Sequence, residues 1–556
     1  MLITKIISSM EKCFIDQKPE DFAEISHLRI YKNSSGAFQL ITYEPDAYCG
    51  HPKRYTIKVQ GLPSDKIEFR RVESVANYIP IPQPASTSQH LADQFLRTEP
   101  GLYPDLLAPV LYNGQITSTP QQLHALWVDV KNNEDLPAGS YPLTLQVFEG
   151  AELISENHLT LEVIDALLPH QDTIVTQWLY ADCIADYYEL EVWSDKHFDY
   201  CRKFIKTAAD NGINMMLVPV FTPPLDTAIG GERTTNQLVG VTREKGTYSF
   251  DYTLIDRWID ICLECGIKYF EISHLFTQWG AKHAPKIMAQ TEEGYRRIFG
   301  WDTDASGDEY VTFLQAFLKS FTAYLSRRGL AEVTYFHISD EPHGEHIEQY
   351  RLNRKNTDAA LHGFKILDAL SDVKFYKEGL CPIPVPISDK IEDFMGEDIK
   401  ERWVYYCWNP WVDYSNRYIS MPSSRTRSIG MQMYKYGIKG FLHWGYNFYN
   451  DRYSYDSVNP FLAANAGSWI SGGDAYSVYP GRQGRPLESL RIVAFRQGLE
   501  DIRVMRLCES YYSKEEVVKA VEDIIGRLTF GNCAKDAATM QKIRDRLDEM
   551  IIAALK

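Results

Sequence analysis

The sequence runs Glu332-Val-Thr-Tyr-Phe-His-Ile-Ser-Asp-Glu-Pro-His-Gly344 near its middle, and there an apolar segment meets the paired acids Asp340 and Glu341. The β-branched and aromatic residues of 333–338 predict a strand, which the following proline and glycine end. Adjacent carboxylates repel each other, so their surroundings push their pKa values apart and leave one ionised while the other holds a proton. A solvated surface turn is the alternative interpretation, and the rest of the chain must decide between the two.

The sequence around this strand alternates between short apolar strands and amphipathic helices. The predicted strands are Ile174–Leu179, Met215–Val220, Tyr269–Ser273, Val333–Ser339, Lys374–Tyr376, Val404–Trp408 and Gly440–Trp444. The predicted helices are Lys196–Asn211, Leu254–Cys265, Tyr310–Gly329, Lys355–Leu370 and Thr426–Tyr436. Repeated strand–helix units with short buried strands indicate a parallel sheet, and their number favours a closed (β/α)8 TIM-type barrel over an open sheet.

The regions on either side of the predicted barrel have different patterns. Alternating runs before residue 168 predict an N-terminal β-sandwich with strands at His27–Tyr31, Ala37–Tyr43, Tyr55–Val59, Lys66–Arg71, His124–Val130, Tyr141–Phe148 and His158–Val163. The proline-rich stretch Ile79–Leu111 is interpreted as an ordered connection. We therefore expect a multidomain β plus α/β chain: a sandwich over 1–168, a barrel over 169–487 and a helical tail over 488–556. Arg491, Arg496, Glu500 and Asp501 in the tail predict structural ion pairs.

Composition and charge restrict the partners of the protein. The 556 residues carry a net charge of −16 and show neither a basic cluster nor a P-loop, which disfavours nucleic acid. No stretch approaches the roughly 20 apolar residues of a membrane span, and the N-terminus lacks a convincing signal peptide. The ten cysteines show no disulfide-like spacing, so a cytoplasmic location is expected. Cys262 and Cys265 are interpreted as packing thiols and His343 with His346 as a weak metal motif, so we expect no cofactor and no metal.

The ends of the predicted strands combine aromatic with hydrogen-bonding residues, and aromatic residues make up 13% of the chain. In a barrel the active site lies at the carboxyl ends of the strands. Flat aromatic faces beside polar side chains are typical of sugar-binding clefts, so the expected partner is an oligosaccharide or glycoside. The predicted substrate-binding residues are Trp178, His274, His337, Tyr376, Trp408, Asn409, Trp444, Tyr446 and Asn447.

The acids at the strand ends favour one mechanism. A two-carboxylate retaining glycosidase needs a nucleophile about 5 Å from its acid. The last predicted strand, Gly440–Trp444, and the residues that follow it to Asn447 offer none. An adjacent Asp–Glu pair suits substrate-assisted catalysis, in which a 2-acetamido oxygen attacks the anomeric carbon. Two alternatives stay open: a two-carboxylate glycosidase that uses Glu271 or Glu378, and a non-catalytic carbohydrate-binding protein.

Several motifs together resemble glycoside hydrolase family 123. They are Tyr103-Pro-Asp-Leu-Leu107, Leu126-Trp-Val-Asp-Val130, Pro137-Ala-Gly-Ser-Tyr141, Ser339-Asp-Glu-Pro342, Tyr405-Tyr-Cys-Trp-Asn409, Gly440-Phe-Leu-His-Trp444 and Ser489–Asp501. The resemblance implies an N-terminal sandwich, a barrel and a retaining β-N-acetylgalactosaminidase activity. It further implies that Asp340 stabilises the reacting acetamido group and that Glu341 is the general acid/base.

Overall fold

The computed structural model describes residues 2–46, 52–82, 91–110, 114–278, 280–467 and 469–556. The chain begins with ten strands: β1 (Ile3–Ser8), β2 (His27–Tyr31), β3 (Gly36–Tyr43), β4 (Lys53–Gln60), β5 (Ile67–Asn77), β6 (Gly101–Pro109), β7 (Gln115–Ser118), β8 (Leu123–Val130), β9 (Gly139–Glu149) and β10 (Glu152–Ile164). They form two five-stranded sheets with the orders β1-β3-β8-β5-β6 and β2-β10-β9-β4-β7.

The two sheets contribute to one apolar cluster. Phe38 and Val128 come from the first sheet, whereas Leu145 and Leu161 come from the second, and all four are buried in that cluster. Alternate residues of a strand face opposite sides of its sheet, so each sheet buries one row of apolar side chains. Strand β6 lies within the predicted proline-rich connection, of which residues 83–90 and Leu111 lie outside the described residues.

Fourteen further strands follow: β11 (Ile174–Gln177), β12 (Met215–Val218), β13 (Gly240–Glu244), β14 (Thr247–Asp251), β15 (Tyr269–Ile272), β16 (Ile287–Thr291), β17 (Gly294–Phe299), β18 (Thr334–Phe336), β19 (Lys365–Ala369), β20 (Ile383–Val385), β21 (Trp403–Tyr405), β22 (Gly440–His443), β23 (Val478–Pro480) and β24 (Pro486–Glu488). The helices are α1 (Leu91–Gln94), α2 (Ala181–Tyr187), α3 (Asp195–Asp210), α4 (Thr253–Glu264), α5 (Asp308–Arg327), α6 (Ile347–Leu361), α7 (Lys374–Lys377), α8 (Ser423–Tyr436), α9 (Leu490–Glu509), α10 (Lys514–Ile525) and α11 (Ala537–Leu555).

Eight of these strands form a parallel sheet that nearly closes into a barrel. Its order is β20-β19-β18-β15-β12-β11-β22-β21. The two edge strands meet just beyond their paired residues, where the Tyr405 N–H donates to the Pro386 carbonyl at 3.1 Å and Ser388 N–H donates to the Tyr405 carbonyl at 2.9 Å. β11 and β12 are buried at every position, as strands covered on both faces must be.

The structure corrects the sequence prediction between residues 355 and 385. The predicted helix Lys355–Leu370 ends early, because Gly363 adopts a φ of +88° and the chain then enters strand β19. The predicted strand Lys374–Tyr376 is part of the short helix α7 instead. β20 was not predicted, since prolines interrupt its run. Val404 therefore lies on the seventh barrel strand and Gly440 on the eighth.

Arg491, Glu500 and Asp501 form the ion pairs predicted for the late helix, whereas Arg496 has no ion pair with a described residue. Arg491 on α9 is fully buried and donates to both Asp105 carboxylate oxygens at 2.9 Å, which joins this helix to strand β6. Asp501 accepts from Arg427 on α8 and from Arg544 on α11. These paired charges hold the C-terminal helices against both neighbouring regions.

The remaining sequence expectations concern thiols, histidines and membranes. Cys262 and Cys265 are buried, and all nine described cysteines are unpaired thiols. The His343 and His346 rings lie 5.7 Å apart at an exposed turn, where the His343 N–H donates to His346 Nδ1. Within the described ranges, no helix combines the length and apolar character needed to cross a membrane.

Candidate active site

A cavity of ≈ 370 Å³ lies at the carboxyl ends of the parallel strands. This volume is in the range of about 300 to 1,000 Å³ that small-molecule sites occupy. Its lining residues are Trp178, Asp226, Gln278, Asp340, Glu341, Ala369, Tyr405, Cys407, Trp408, Leu442, Trp444, Arg452, Tyr453, Trp469 and Ile470. Asp340 and Glu341 thus face a shared cavity and are not a solvated surface turn.

Strand β19 fixes the backbone on both sides of Asp340. Asp368 Oδ1 accepts hydrogen bonds from the N–H groups of Ile338 at 2.9 Å and Ser339 at 3.3 Å. The Glu341 N–H donates to the Ala369 carbonyl at 3.0 Å. Because the backbone is held immediately before and after Asp340, its carboxylate has a defined position in the cavity.

Glu341 adopts an unusual backbone conformation. Its φ of +45° is in the left-handed region, which costs a residue with a Cβ about 1 to 3 kcal/mol. Surrounding hydrogen bonds must offset that cost, and the Tyr405 hydroxyl supplies one of them by donating to Glu341 Oε1 at 2.8 Å. The strained backbone and the tyrosine together aim the glutamate side chain.

Three carboxyl groups influence one another in the cavity. Burial raises the pKa of Asp340 well above its usual value, and the nearby charges of Glu341 and Asp226 raise it further. Burial also raises the pKa of Asp226, to about 7, although the Arg233 guanidinium acts in the opposite direction. Protons are therefore retained in this site near neutral pH, as acid/base catalysis requires.

A buried ionic network lies beneath the cavity. Burial alone would lower the pKa of His337, but the adjoining carboxylates of Glu271 and Asp368 raise it to about 10, so the ring is an imidazolium. Glu271 accepts from this ring and from the indole N–H of Trp178 at 2.9 Å. The network therefore links Asp368, which holds the backbone before Asp340, to the Trp178 wall of the cavity.

His274, His337 and Asp368 bring potential metal ligands within 4.8 Å of one another. Their geometry does not suit an ion. The His274 and His337 rings are stacked with centroids 4.3 Å apart and an angle of 23°, so their in-plane lone pairs do not converge on one point. Both His337 nitrogens already contact carboxylates. Burial and the positive charge of His337 lower the pKa of His274, which makes it a neutral ring beside a charged one.

Tryptophans form the walls of the cavity. Trp178 is buried, whereas Trp408 is 51% exposed at the rim. Trp444 donates its indole N–H to Asp474 at 2.8 Å and lies 6.3 Å from the Trp469 ring. Aromatic rings held at fixed angles around a carboxylate pair can pack against the apolar C–H face of a sugar.

Five of the predicted site residues line this cavity, namely Asp340, Glu341, Trp178, Trp408 and Trp444, and six do not. His274 and His337 lie in the network beneath it. Tyr376 is on α7 and donates to the Asp398 carbonyl at 2.8 Å, away from the cavity lining. Asn409 is exposed beyond Trp408, Tyr446 donates to the Phe204 carbonyl, and Asn447 bonds the backbone of Tyr180.

The structure places neither alternative nucleophile at the cavity. Glu271 is fully buried and accepts three hydrogen bonds, from Thr176, Trp178 and His337. Glu378 pairs with Arg351 at the surface. The true seventh strand, β21, also ends without a carboxylate and contributes Tyr405 to the site.

Several site residues were not predicted from the sequence. Asp368 was missed because its strand was interpreted as helix. Asp226 and Gln278 follow strands that were predicted. Their positions after the carboxyl ends of β12 and β15 could therefore have indicated that they belong to the site. Arg452, Tyr453 and Trp469 come from the long segment after β22, where no periodicity indicates that they fold back over the barrel.

Comparison with protein families identifies the catalytic region. Residues 178–508 match the model of the glycoside hydrolase 123 catalytic domain, which is more than half of the chain. The chain belongs to glycoside hydrolase family 123. It is therefore a glycoside hydrolase, and the carboxylate cavity lies within the matched region. A comparison with curated proteins gave no match.

A solved structure from the same family has the same overall fold, and two other glycoside hydrolases show only weak similarity. A family 123 glycoside hydrolase from Clostridium perfringens, described in terms of glycolipid glycan hydrolysis, superposes with a TM-score of 0.75 at 15% identity, covering 100% of this chain and 98% of that one. A family 39 glycoside hydrolase from the gut symbiont Bacteroides cellulosilyticus gives a TM-score of 0.33 at 9% identity, covering 80% of each chain. A Bacteroides ovatus GH5 xyloglucanase gives 0.28 at 9% identity, covering 85% and 98%.

Proposed function

We propose that this protein is a retaining β-N-acetylhexosaminidase that acts on β-N-acetylgalactosaminides by substrate-assisted catalysis. The galacto preference follows from the activity for which family 123 is known. The proposed framework is a sandwich over 1–168, a (β/α)8 barrel over 169–487 and helices over 488–556. Unpaired buried thiols support a reducing, cytoplasmic setting.

The adjacent pair Asp340–Glu341 in a tryptophan-walled cavity carries this proposal. Neighbouring residues of one chain cannot flank a glycosidic bond from opposite faces, as an acid and a separate nucleophile must. They can contact two neighbouring groups on one side of the sugar, namely the leaving oxygen and the 2-acetamido group. The pair therefore supports a nucleophile that belongs to the substrate.

In the first step Glu341 donates its proton to the glycosidic oxygen and the bond from that oxygen to the anomeric carbon breaks. The acetamido oxygen forms a new bond to the same carbon, which gives an oxazolinium ion. Asp340 accepts a hydrogen bond from the acetamido N–H and stabilises the positive charge. That N–H donor favours the ionised form of Asp340, so substrate binding offsets the raised pKa of its carboxyl.

In the second step Glu341 acts as the base. Its carboxylate takes a proton from water, and the resulting oxygen attacks the anomeric carbon from the face that the leaving group vacated. The acetamido oxygen departs, and the configuration of the sugar is retained after two inversions. The hydrogen bond from Tyr405 holds the Glu341 carboxylate in place through both steps.

The test compares Asp340→Asn and Glu341→Gln on 4-nitrophenyl and alkyl β-N-acetylgalactosaminides and glucosaminides. We expect Asp340→Asn to lower kcat by about 10²- to 10³-fold on every substrate, because charge stabilisation is lost. Glu341→Gln should lower it most for alkyl leaving groups, which need a proton. An N-acetylgalactosamine-derived thiazoline should inhibit the wild type strongly.

Glu345→Gln is the matched control, since Glu345 is exposed in the same loop. Full activity in both catalytic-pair variants would contradict the proposal. So would rapid cleavage of glycosides that lack the acetamido group combined with insensitivity to the thiazoline.

A further inference from the structure

Asp226 is a third carboxylate in the cavity. The mechanism proposed for Asp340 and Glu341 gives it no role. Its backbone is held in a left-handed conformation with a φ of +49°. Its N–H donates to Gln278 Oε1 at 3.0 Å, and its carbonyl accepts from the Ser454 hydroxyl at 2.9 Å. A strained backbone that two side chains secure indicates that the position of this carboxylate matters.

One oxygen of the Asp226 carboxylate accepts no hydrogen bond from the described residues. Tyr180 donates to Oδ2 at 3.4 Å, and no hydrogen bond reaches Oδ1 from any described residue. A cavity-lining carboxylate oxygen without a protein donor is open to a donor on the substrate.

Gln278 offers the complementary group. Its amide oxygen must face Asp226, because a backbone N–H donates to it, so its NH2 points elsewhere. The side chain is 4% exposed and lines the cavity, yet Nε2 has no hydrogen-bond partner in the described part of the chain. An unpaired buried amide donor costs about 1 to 3 kcal/mol unless a ligand satisfies it.

We propose that Asp226 and Gln278 form a hydroxyl-recognition site for the 3- and 4-hydroxyl groups of the terminal sugar. This inference rests on the proposed function, which assigns the acetamido group at C2 to Asp340 and the leaving oxygen at C1 to Glu341. The hydroxyls at C3 and C4 are then the neighbouring ring substituents that still need partners. An acceptor beside a donor matches two adjacent hydroxyls, each of which can donate and accept.

The assignment has two consequences for the substrate. Galacto and gluco sugars differ at C4, so this pair decides between them. A site that bonds both hydroxyls also excludes a sugar substituted at either position. The enzyme therefore does not cut where the glycan continues through C3 or C4 of this sugar.

The experiment measures kcat/KM for 4-nitrophenyl β-N-acetylgalactosaminide and its 3-deoxy and 4-deoxy analogues. Wild type, Asp226→Asn and Gln278→Met are compared, with Asp199→Asn as a matched exposed control. We expect the kcat/KM of the wild type to be about 10- to 100-fold lower for each analogue than for the parent glycoside. Each analogue lacks a hydroxyl that would donate to the Asp226 carboxylate or accept from the buried Gln278 amide. On the parent glycoside, the kcat/KM of each variant should fall by a similar factor. For each variant, the kcat/KM values for the parent glycoside and for one of the two analogues should differ by less than 3-fold.

Calorimetric binding of free N-acetylgalactosamine and its deoxy analogues to the wild type separates the two proposals, because it needs no cleavage. Weaker binding of the analogues would support the hydroxyl site even if hydrolysis failed. Equal losses of Asp226→Asn on all three glycosides would overturn the inference, because a nucleophile or a folding element would behave that way. The inference would also be overturned if the wild type had equal kcat/KM values for the parent and deoxy glycosides, or if it bound none of the free sugars.

Discussion

Replacing Asp368 tests whether strand β19 holds Asp340 and Glu341 in position. Asp368 is fully buried and does not line the cavity. Its Oδ1 accepts from two backbone N–H groups and from His337 Nδ1 at 3.1 Å, and its Oδ2 accepts from Tyr350. The side chain thus receives four hydrogen bonds, three of them from the three residues that precede Asp340.

The size of the effect follows from these bonds. Asp368→Asn keeps an oxygen for the three donors on one side, and the Tyr350 hydroxyl can rotate to accept from the new amide. The main loss is the charge opposite the His337 imidazolium, which we place at about 2 kcal/mol. Asp368→Ala leaves two backbone N–H groups and the Tyr350 hydroxyl buried without partners, at about 1 to 3 kcal/mol each. Alanine should therefore destabilise the protein by at least about 3 kcal/mol.

Urea unfolding and steady-state kinetics together measure this prediction. The unfolding midpoint should fall in the order wild type, Asn, Ala. For Asp368→Asn we expect kcat to fall about 10-fold with KM nearly unchanged, because the residue touches no substrate but fixes the backbone that carries Asp340. Asp389→Asn is the exposed control. A raised KM with unchanged kcat, or equal stability of Asn and Ala, would refute the reasoning.

Three further predictions concern hydrogen bonding and charge. Tyr405→Phe removes the 2.8 Å bond to Glu341 and should lower kcat about 10-fold at constant pH; an unchanged kcat would contradict its positioning role. Asp226, whose pKa is about 7, is negatively charged above that pH and there raises the pKa of Asp340. Asp226→Asn removes this charge, so an acid limb of the kcat/KM profile above about pH 7 should move to lower pH. A shift to higher pH would oppose the electrostatic assignment. His337 has a pKa raised from 6.5 to about 10, so its stabilisation of the fold is complete below pH 6.5 and is lost as the pH rises through 10. The urea midpoint of His337→Gln should be lower than that of the wild type near pH 6 and should change less between pH 6 and 10.

Local sequence patterns located the Asp340–Glu341 pair but not all of the residues that hold it in place. Asp340 and Glu341 follow a β-branched and aromatic strand, and the aromatic residues after β11 and β22 were equally visible in the sequence. Asp368 was hidden because a short apolar run such as 364–370 fits a helix and a buried strand alike. Tyr376 was predicted at a strand end for the same reason, whereas the structure places it on α7 and outside the lining of the cavity.

The sequence by itself determined the alternation of strands and helices, the position of two acids at a strand end and the lack of a partner acid on the last strand. These features depend on residue type and spacing within one segment, which local conformational preference reflects. Only the tertiary structure decided that Asp226 and Gln278 share the cavity with the pair, and that Glu271 is buried against Trp178 and does not line the cavity. Hydrogen bonding and charge coupling depend on distances through space, and those distances are set when strands that are far apart in the chain pack side by side.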